Sequence, residues 1–162
     1  MGPVTGGGPG DVERAPLARL FAMALRSTID ELHERLGRRG WPDMRPTFGF
    51  ALLAVSEGDA TVVSLAGLLG VTKQAASKLV ASMEEIGYVQ RSAHAADGRA
   101  KAVTLTPRGA ELLATVEEVY AEIEAEWSAV LGAGRVASLR HDLLHVLRAT
   151  HGGTLPAVRP TW

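Results

Sequence analysis

The 162-residue chain contains no cysteine. That excludes disulfide staples, thiol catalysis, iron–sulfur clusters and cysteine-based redox sensing, and it suits a reducing compartment. Aromatic residues are scarce, at 5%, which disfavours a β-sandwich core. The Leu-, Ala- and Val-rich remainder favours helices. No apolar run approaches the roughly 20 residues of a membrane span, because Arg, Glu, Asp or Gly interrupts each one. The opening "MGPVTGGGPG" lacks the basic-then-apolar order of a signal peptide and reads as a flexible tail over residues 1–14. A cytoplasmic protein with no membrane contact is the expectation.

Net charge is also nearly absent, at −1, so bulk charge points to no partner, and the distribution along the chain carries the information. Between Thr72 and Arg108 the bases Lys73, Lys78, Arg91, Arg99, Lys101 and Arg108 face only Glu84, Glu85 and Asp97, a local balance of +3. From Gly109 to Gly134 there is no Lys or Arg at all, against six glutamates. One segment is built to meet negative charge and the next to avoid it. The six glutamates suit plain solvation equally well.

Apolar residues Leu17, Leu20, Phe21, Ala24, Leu25, Leu32 and Leu36 recur at three- and four-residue steps. They predict an amphipathic helix within residues 15–40, closing near Gly37. "RRGWPDMRP" is a loop, and "TFGFALLAV" a buried helix ended by the turn "SEGDA". Ser64 is the expected N-cap of a short helix, Leu65–Leu69, which Gly70 stops. Thr72 is the expected N-cap of a second helix, Lys73–Ile86. Two helices joined by a short glycine-containing turn form a helix-turn-helix.

The second helix divides cleanly on a 3.6-residue wheel. Ala76, Leu79, Val80, Met83 and Ile86 share a core face, whereas Gln74, Ser77, Lys78 and Ala81 point away, with Lys73 at the edge. A helix entering a major groove wants this outward face: slender, polar and basic in its first turns. An ordinary solvated face has the same polarity, so this helix alone does not choose between them.

The following segments do. "GYVQRSA" and "RAKAVTLT" alternate as strands around "HAADG", whose Asp-Gly supplies the turn. Thr106 then caps, and Pro107 opens, another helix. A helix-turn-helix followed by a two-stranded hairpin is a winged helix, expected over residues 45–108. Beyond it, Leu112, Leu113, Val116, Val119, Tyr120, Ile123, Trp127 and Val130 keep helical spacing, giving an arm of roughly 37 Å. "LGAGR" breaks this arm before a last amphipathic helix bearing Val136, Leu139, Leu143, Val146 and Leu147. The arm and last helix occupy residues 109–150, and a tail follows over 151–162. One winged domain cannot cover every apolar stripe. Pairing of the first and last helices of two chains accounts for them, with Leu17, Leu20, Leu139, Leu143, Val146 and Leu147 as the dimerisation residues.

The fold class is therefore mainly α, with a small β-hairpin wing on a helix-turn-helix and dimerisation helices at both ends. The ordered set "LAGLLGVTKQAASKLVASMEEIGYVQR", "DGR" and "VTLTPRGAELL" resembles the MarR (multiple antibiotic resistance regulator) family of transcription factors over roughly residues 62–115. The resemblance implies a homodimeric repressor on a pseudo-palindromic double-stranded DNA operator, with two recognition helices set one DNA turn apart. It implies DNA contacts from Thr72, Lys73, Gln74, Ser77 and Lys78 of the recognition helix, from Ser64 at the preceding helix start, and from Arg91, Asp97, Arg99 and Lys101 of the wing. Arg99 would enter the minor groove, braced by Asp97. A narrow A·T-rich groove attracts such a guanidinium, while an ion pair that merely steadies the turn would account for the same two residues. The wing tip "SAHAA" carries less charge than is usual in the family. "GWPDMRPTFGF" resembles a signature of one subgroup but lacks its histidine.

The resemblance also implies an effector pocket between the DNA-binding lobe and the dimer helices. Trp41, Arg45, Phe48 and Phe50 are its candidates, suited to a small aromatic or anionic molecule. The alternative is that Phe48 and Phe50 belong to the core and Trp41 caps a loop. His141 and His145 stand one helical turn apart, a spacing able to share a metal in a metal-responsive regulator, although dimer-face or surface histidines fit equally. No metal or cofactor is otherwise indicated. A winged helix serving protein contacts without an effector pocket is a further alternative. An enzyme is not expected, because no nucleophile elbow, phosphate loop or metal triad occurs.

Overall fold

The computed structural model describes residues 15–58, 60–93 and 101–156. Among them are six helices and two strands. Helix α1 spans Leu17–Arg38 and α2 Pro46–Ser56. Helix α3, Val62–Leu69, and α4, Lys73–Glu85, form the helix-turn-helix. Strands β1, Val89–Ala93, and β2, Lys101–Leu105, follow. Helix α5 runs Pro107–Leu131 and α6 Ala133–Thr150. No helix of the described residues is long and apolar enough to cross a membrane.

Local chemistry sets the boundaries. Gly70 ends α3 in the left-handed region, at φ 65°, where a side chain would be strained. Thr72 opens α4 by accepting a hydrogen bond from the Ala75 amide at 3.1 Å. Helix α3 begins earlier than the sequence suggests. Its N-cap is Thr61, not Ser64. Thr61 Oγ1 accepts from the Ser64 amide at 3.1 Å, and Ser64 Oγ accepts from the Thr61 amide at 2.8 Å. That reciprocal box satisfies two orphan amides. Ser64 sits inside the first turn with its hydroxyl engaged there.

The two strands pair antiparallel, with Val89 opposite Leu105 and Arg91 opposite Val103. The far edge of β2 is also used. The Val103 amide donates to the Ala60 carbonyl at 2.7 Å, and Thr61 bridges Ala102. The hairpin is thereby tied to the chain entering α3. Phe48, Leu65, Val80, Met83, Tyr88 and Leu112 are fully buried, so α2, the helix-turn-helix, the hairpin and the base of α5 share one core.

Helix α5 buries Leu112, Val116, Val119 and Ile123 along one stripe and lies against α1. Its glutamates are not merely solvated. The Arg35 guanidinium of α1 bonds Glu126 at 2.7 Å and lies 3.5 Å from Glu122, while Arg39 bonds Glu122 at 2.5 Å. Arg140 of α6 pairs with Glu124. Helix α6 itself buries no residue.

Candidate nucleic-acid interface and a neighbouring cavity

Helix α4 presents the face that the sequence reading expects. Ala76, Val80 and Met83 are fully buried and Leu79 is half-buried, which anchors the helix from behind. Thr72, Lys73, Gln74, Ser77, Lys78 and Ala81 are all exposed. The face offers two ammonium groups, an amide and the hydroxyls of Thr72 and Ser77, with the positive end of the helix dipole at the same end. Small residues at 75, 77 and 81 leave the backbone close to whatever docks there.

Arg91 occupies a different place from that of a free wing cation. Its guanidinium lies 3.2 Å from Glu84 Oε2 and donates to the Ser77 carbonyl at 3.3 Å. The Arg91 amide donates to Glu84 Oε1 at 3.3 Å. This clasp joins β1 to the exposed helix, fixing the hairpin against it. Lys101 opens β2, opposite Ala93. Asp97 and Arg99 lie outside the described residues.

The hairpin root is fixed as firmly. Thr106 caps α5 by accepting from the Gly109 amide at 3.0 Å, and its hydroxyl donates to the Gly87 carbonyl at 2.5 Å. The Thr106 amide donates to the Tyr88 carbonyl at 3.1 Å. The long helix, the hairpin and the end of α4 are thereby joined through Thr106.

Three of the four residues proposed for an effector pocket, Trp41, Arg45 and Phe48, gather around Tyr88 and each other. Phe48 is core, packed edge-on against Tyr88 at 6.3 Å between ring centroids, and Trp41 lies 6.1 Å from the same ring. Arg45 sits over the Phe48 ring at 5.4 Å, and Arg108 over Trp41 at 5.3 Å. Cation–π contact and aromatic packing account for these residues. Of the four, Phe50 lines a space of about 100 Å³ between α1, α2 and α5.

Its walls include Leu32, Leu53 and Val116, and its polar side chains are His33, Glu117 and Tyr120. His33 Nδ1 lies 2.7 Å from the Ile29 carbonyl of its own helix, and Nε2 is buried with no partner. Burial, and after it the charge of Glu117, pushes the Tyr120 phenol above its ordinary pKa. The sequence reading did not join these three, because His33 lies on α1 and Glu117 and Tyr120 lie about a turn apart on α5. The packing of α1 against α5 brings them together.

Leu17, Leu20, Leu139, Val146 and Leu147 are exposed, and Leu143 is half-buried. Phe21 and Leu25 of α1 are exposed as well. His141 and His145 are exposed, and no group of three metal-ligating side chains gathers among the described residues.

The model of the MarR family matches residues 50–100. Wild-type MarR from E. coli, in its apo form, superposes with a TM-score of 0.67 at 27% identity, covering 82% of this chain and 98% of that one. The transcriptional regulator BldR from Sulfolobus solfataricus gives 0.63 at 27% identity, covering 88% and 99%. A point mutant of MepR from S. aureus, bound to an oligodeoxyribonucleotide, shares the fold at 0.59 and 21% identity, covering 84% and 99%. No curated protein matches the sequence.

Proposed function

From the premise that this chain belongs to the MarR family of transcriptional regulators, we propose that it is a homodimeric repressor. It binds a pseudo-palindromic DNA site in the cytoplasm and leaves it when a small molecule binds. The observation that carries the reading is the exposed, capped face of α4, with Lys73, Gln74, Ser77 and Lys78 turned out and its opposite face locked in the core. Gln74 and Ser77 read base edges, while Lys73 and Lys78 meet phosphates. Arg99, held by Asp97, enters the adjacent minor groove. Ser64, in the first turn of α3, stands near the backbone.

The exposed leucines and valines of α1 and α6 support pairing of two chains, since this apolar surface has no cover among the described residues of one copy. Two copies place two α4 helices about one DNA turn, roughly 34 Å, apart. MepR from S. aureus has been seen bound to an oligodeoxyribonucleotide, and the shared fold makes the same docking available here.

A mobility-shift titration on the chain's own upstream DNA tests this. A sequence-specific complex with two chains per site, weakening steeply with salt and lost on Arg99→Ala, is expected. No specific shift, or one indifferent to Arg99→Ala, overturns the reading.

A further inference from the structure

Resting on the DNA-binding reading, we infer which base pairs α4 selects. The Gln74 carboxamide takes an adenine, and the Ala81 methyl takes the 5-methyl group of a thymine about three base pairs further along. Few groups on this side are free to address base edges. Thr72 Oγ1 is engaged by the Ala75 amide at 3.1 Å, where it caps the helix. Helix α4 bears no arginine, and Arg91 beside it lies 3.2 Å from Glu84 Oε2 and donates to the Ser77 carbonyl. A guanidinium is the commonest partner of guanine O6 and N7, so the face lacks that reader. Lys73 and Lys78 are compact charges on flexible stems, suited to phosphates. The exposed groups that remain are the Gln74 carboxamide, the Ser77 hydroxyl and the Ala81 methyl. A carboxamide both donates and accepts, which matches the N7 acceptor and N6 donor of adenine in the major groove. Ser77 matches either kind of pair and does not choose.

Helical spacing sets the two contacts on one line. Ala81 follows Gln74 by one heptad, which brings the side chain back to within about 20° of the same direction. It also carries it about 10 Å along the axis. At about 3.4 Å per base pair, that is about three steps along a groove the helix follows. Ser77, between them, is small, and Lys78 is long enough to reach outward, so no bulky side chain holds this stretch off the base edges. A polar base edge set against the Ala81 methyl would lose its water with nothing in return, whereas a thymine methyl loses nothing there. Glu85, exposed on the same stripe about a turn further on, brings negative charge against a polyanion and marks where the contact ends.

Mobility shifts of the full chain on operator duplexes carrying single base analogues test the inference. 7-Deazaadenine lacks the N7 acceptor of adenine, and uracil lacks only the 5-methyl group of thymine. Within one half-site, 7-deazaadenine at one position is expected to weaken wild-type binding about tenfold. Uracil at one position about three base pairs away should weaken it about fourfold, the worth of one buried methyl-sized group. Gln74→Ala should lose the response to 7-deazaadenine and keep the response to uracil, and Ala81→Gly should do the reverse. Wild-type binding blind to both analogues, sensitive positions at some other separation, or responses that survive the matching variants overturns the inference. The analogue scan on the wild type decides even if Ala81→Gly, which weakens the helix, fails to fold. A specific complex blind to both analogues strikes this inference alone, whereas absence of any specific complex strikes the regulator reading and this inference with it.

Discussion

A Cβ on Gly109 would stand 1.9 Å from the carbonyl oxygen of Tyr88. The residue lies in the first turn of α5, where alanine would ordinarily help by up to about 1 kcal/mol. The steric term is larger, because the opposing atom is backbone fixed by the Thr106 amide. Gly109→Ala should destabilise the fold by about 2–3 kcal/mol, lowering the melting temperature by roughly 4–12 °C. An unchanged melting curve would show that the hairpin is not seated on the helix as described.

The Arg91 clasp yields a prediction that separates positioning from phosphate contact. Arg91→Ala removes the bonds to Glu84 and the Ser77 carbonyl and should cost about 1 kcal/mol of stability, since the pair is partly exposed. DNA affinity should also fall, because the wing is no longer braced on α4. The slope of log affinity against log salt should stay the same. Loss of a direct phosphate contact would instead reduce that slope by about 1, and Glu84→Gln, which leaves the cation in place, should mimic Arg91→Ala only if the clasp is what matters.

On α4 the two outward residues should behave differently. Lys78→Ala should weaken binding across many sequences and lower the salt slope by about 1. Gln74→Ala should relax preference at one base pair, by about 1–3 kcal/mol of discrimination. Competition binding against a panel of single-base operator variants measures both. Uniform weakening by Gln74→Ala would remove it from base reading.

The elements were legible wherever one residue type has a single local meaning. Gly70, Thr72 and the Thr106–Pro107 pair announced their boundaries because left-handed backbone, capping hydroxyls and a missing amide have few other uses. The α3 start was misplaced because Val62 and Val63 have the look of a strand, and a serine at the third helical position answers the cap as Glu ordinarily does. The outward side of α4 followed from periodicity alone. The cavity did not, because it depends on which rings the core absorbs. Tyr88, fully buried, draws Trp41 and Phe48 to itself and leaves Phe50 to line the space. The Arg35 and Arg39 ties to α5 are equally long-range, linking residues more than eighty positions apart.

Those ties make stability depend on acid in a definite direction. A hydrogen bond from Arg39, helped by its charge and by Arg35 and opposed by burial, holds the Glu122 carboxyl below the ordinary glutamate range. A group whose pKa is lower folded than unfolded contributes its full stabilisation above the unfolded value, about 4.3. It loses that contribution as pH falls through the lower folded value. The Arg35 guanidinium is shifted upward, chiefly by Glu31 and then Glu126, and stays charged throughout this window. The melting temperature of the wild type should therefore exceed that of Glu122→Gln near neutrality, and the gap should close as the pH is taken below about 4. Added salt should narrow it at neutral pH, because both partners are open to solvent. A gap that holds constant from neutral to acid pH would mean that Glu122 acts through packing, and that α1 is held to α5 by its apolar stripe alone.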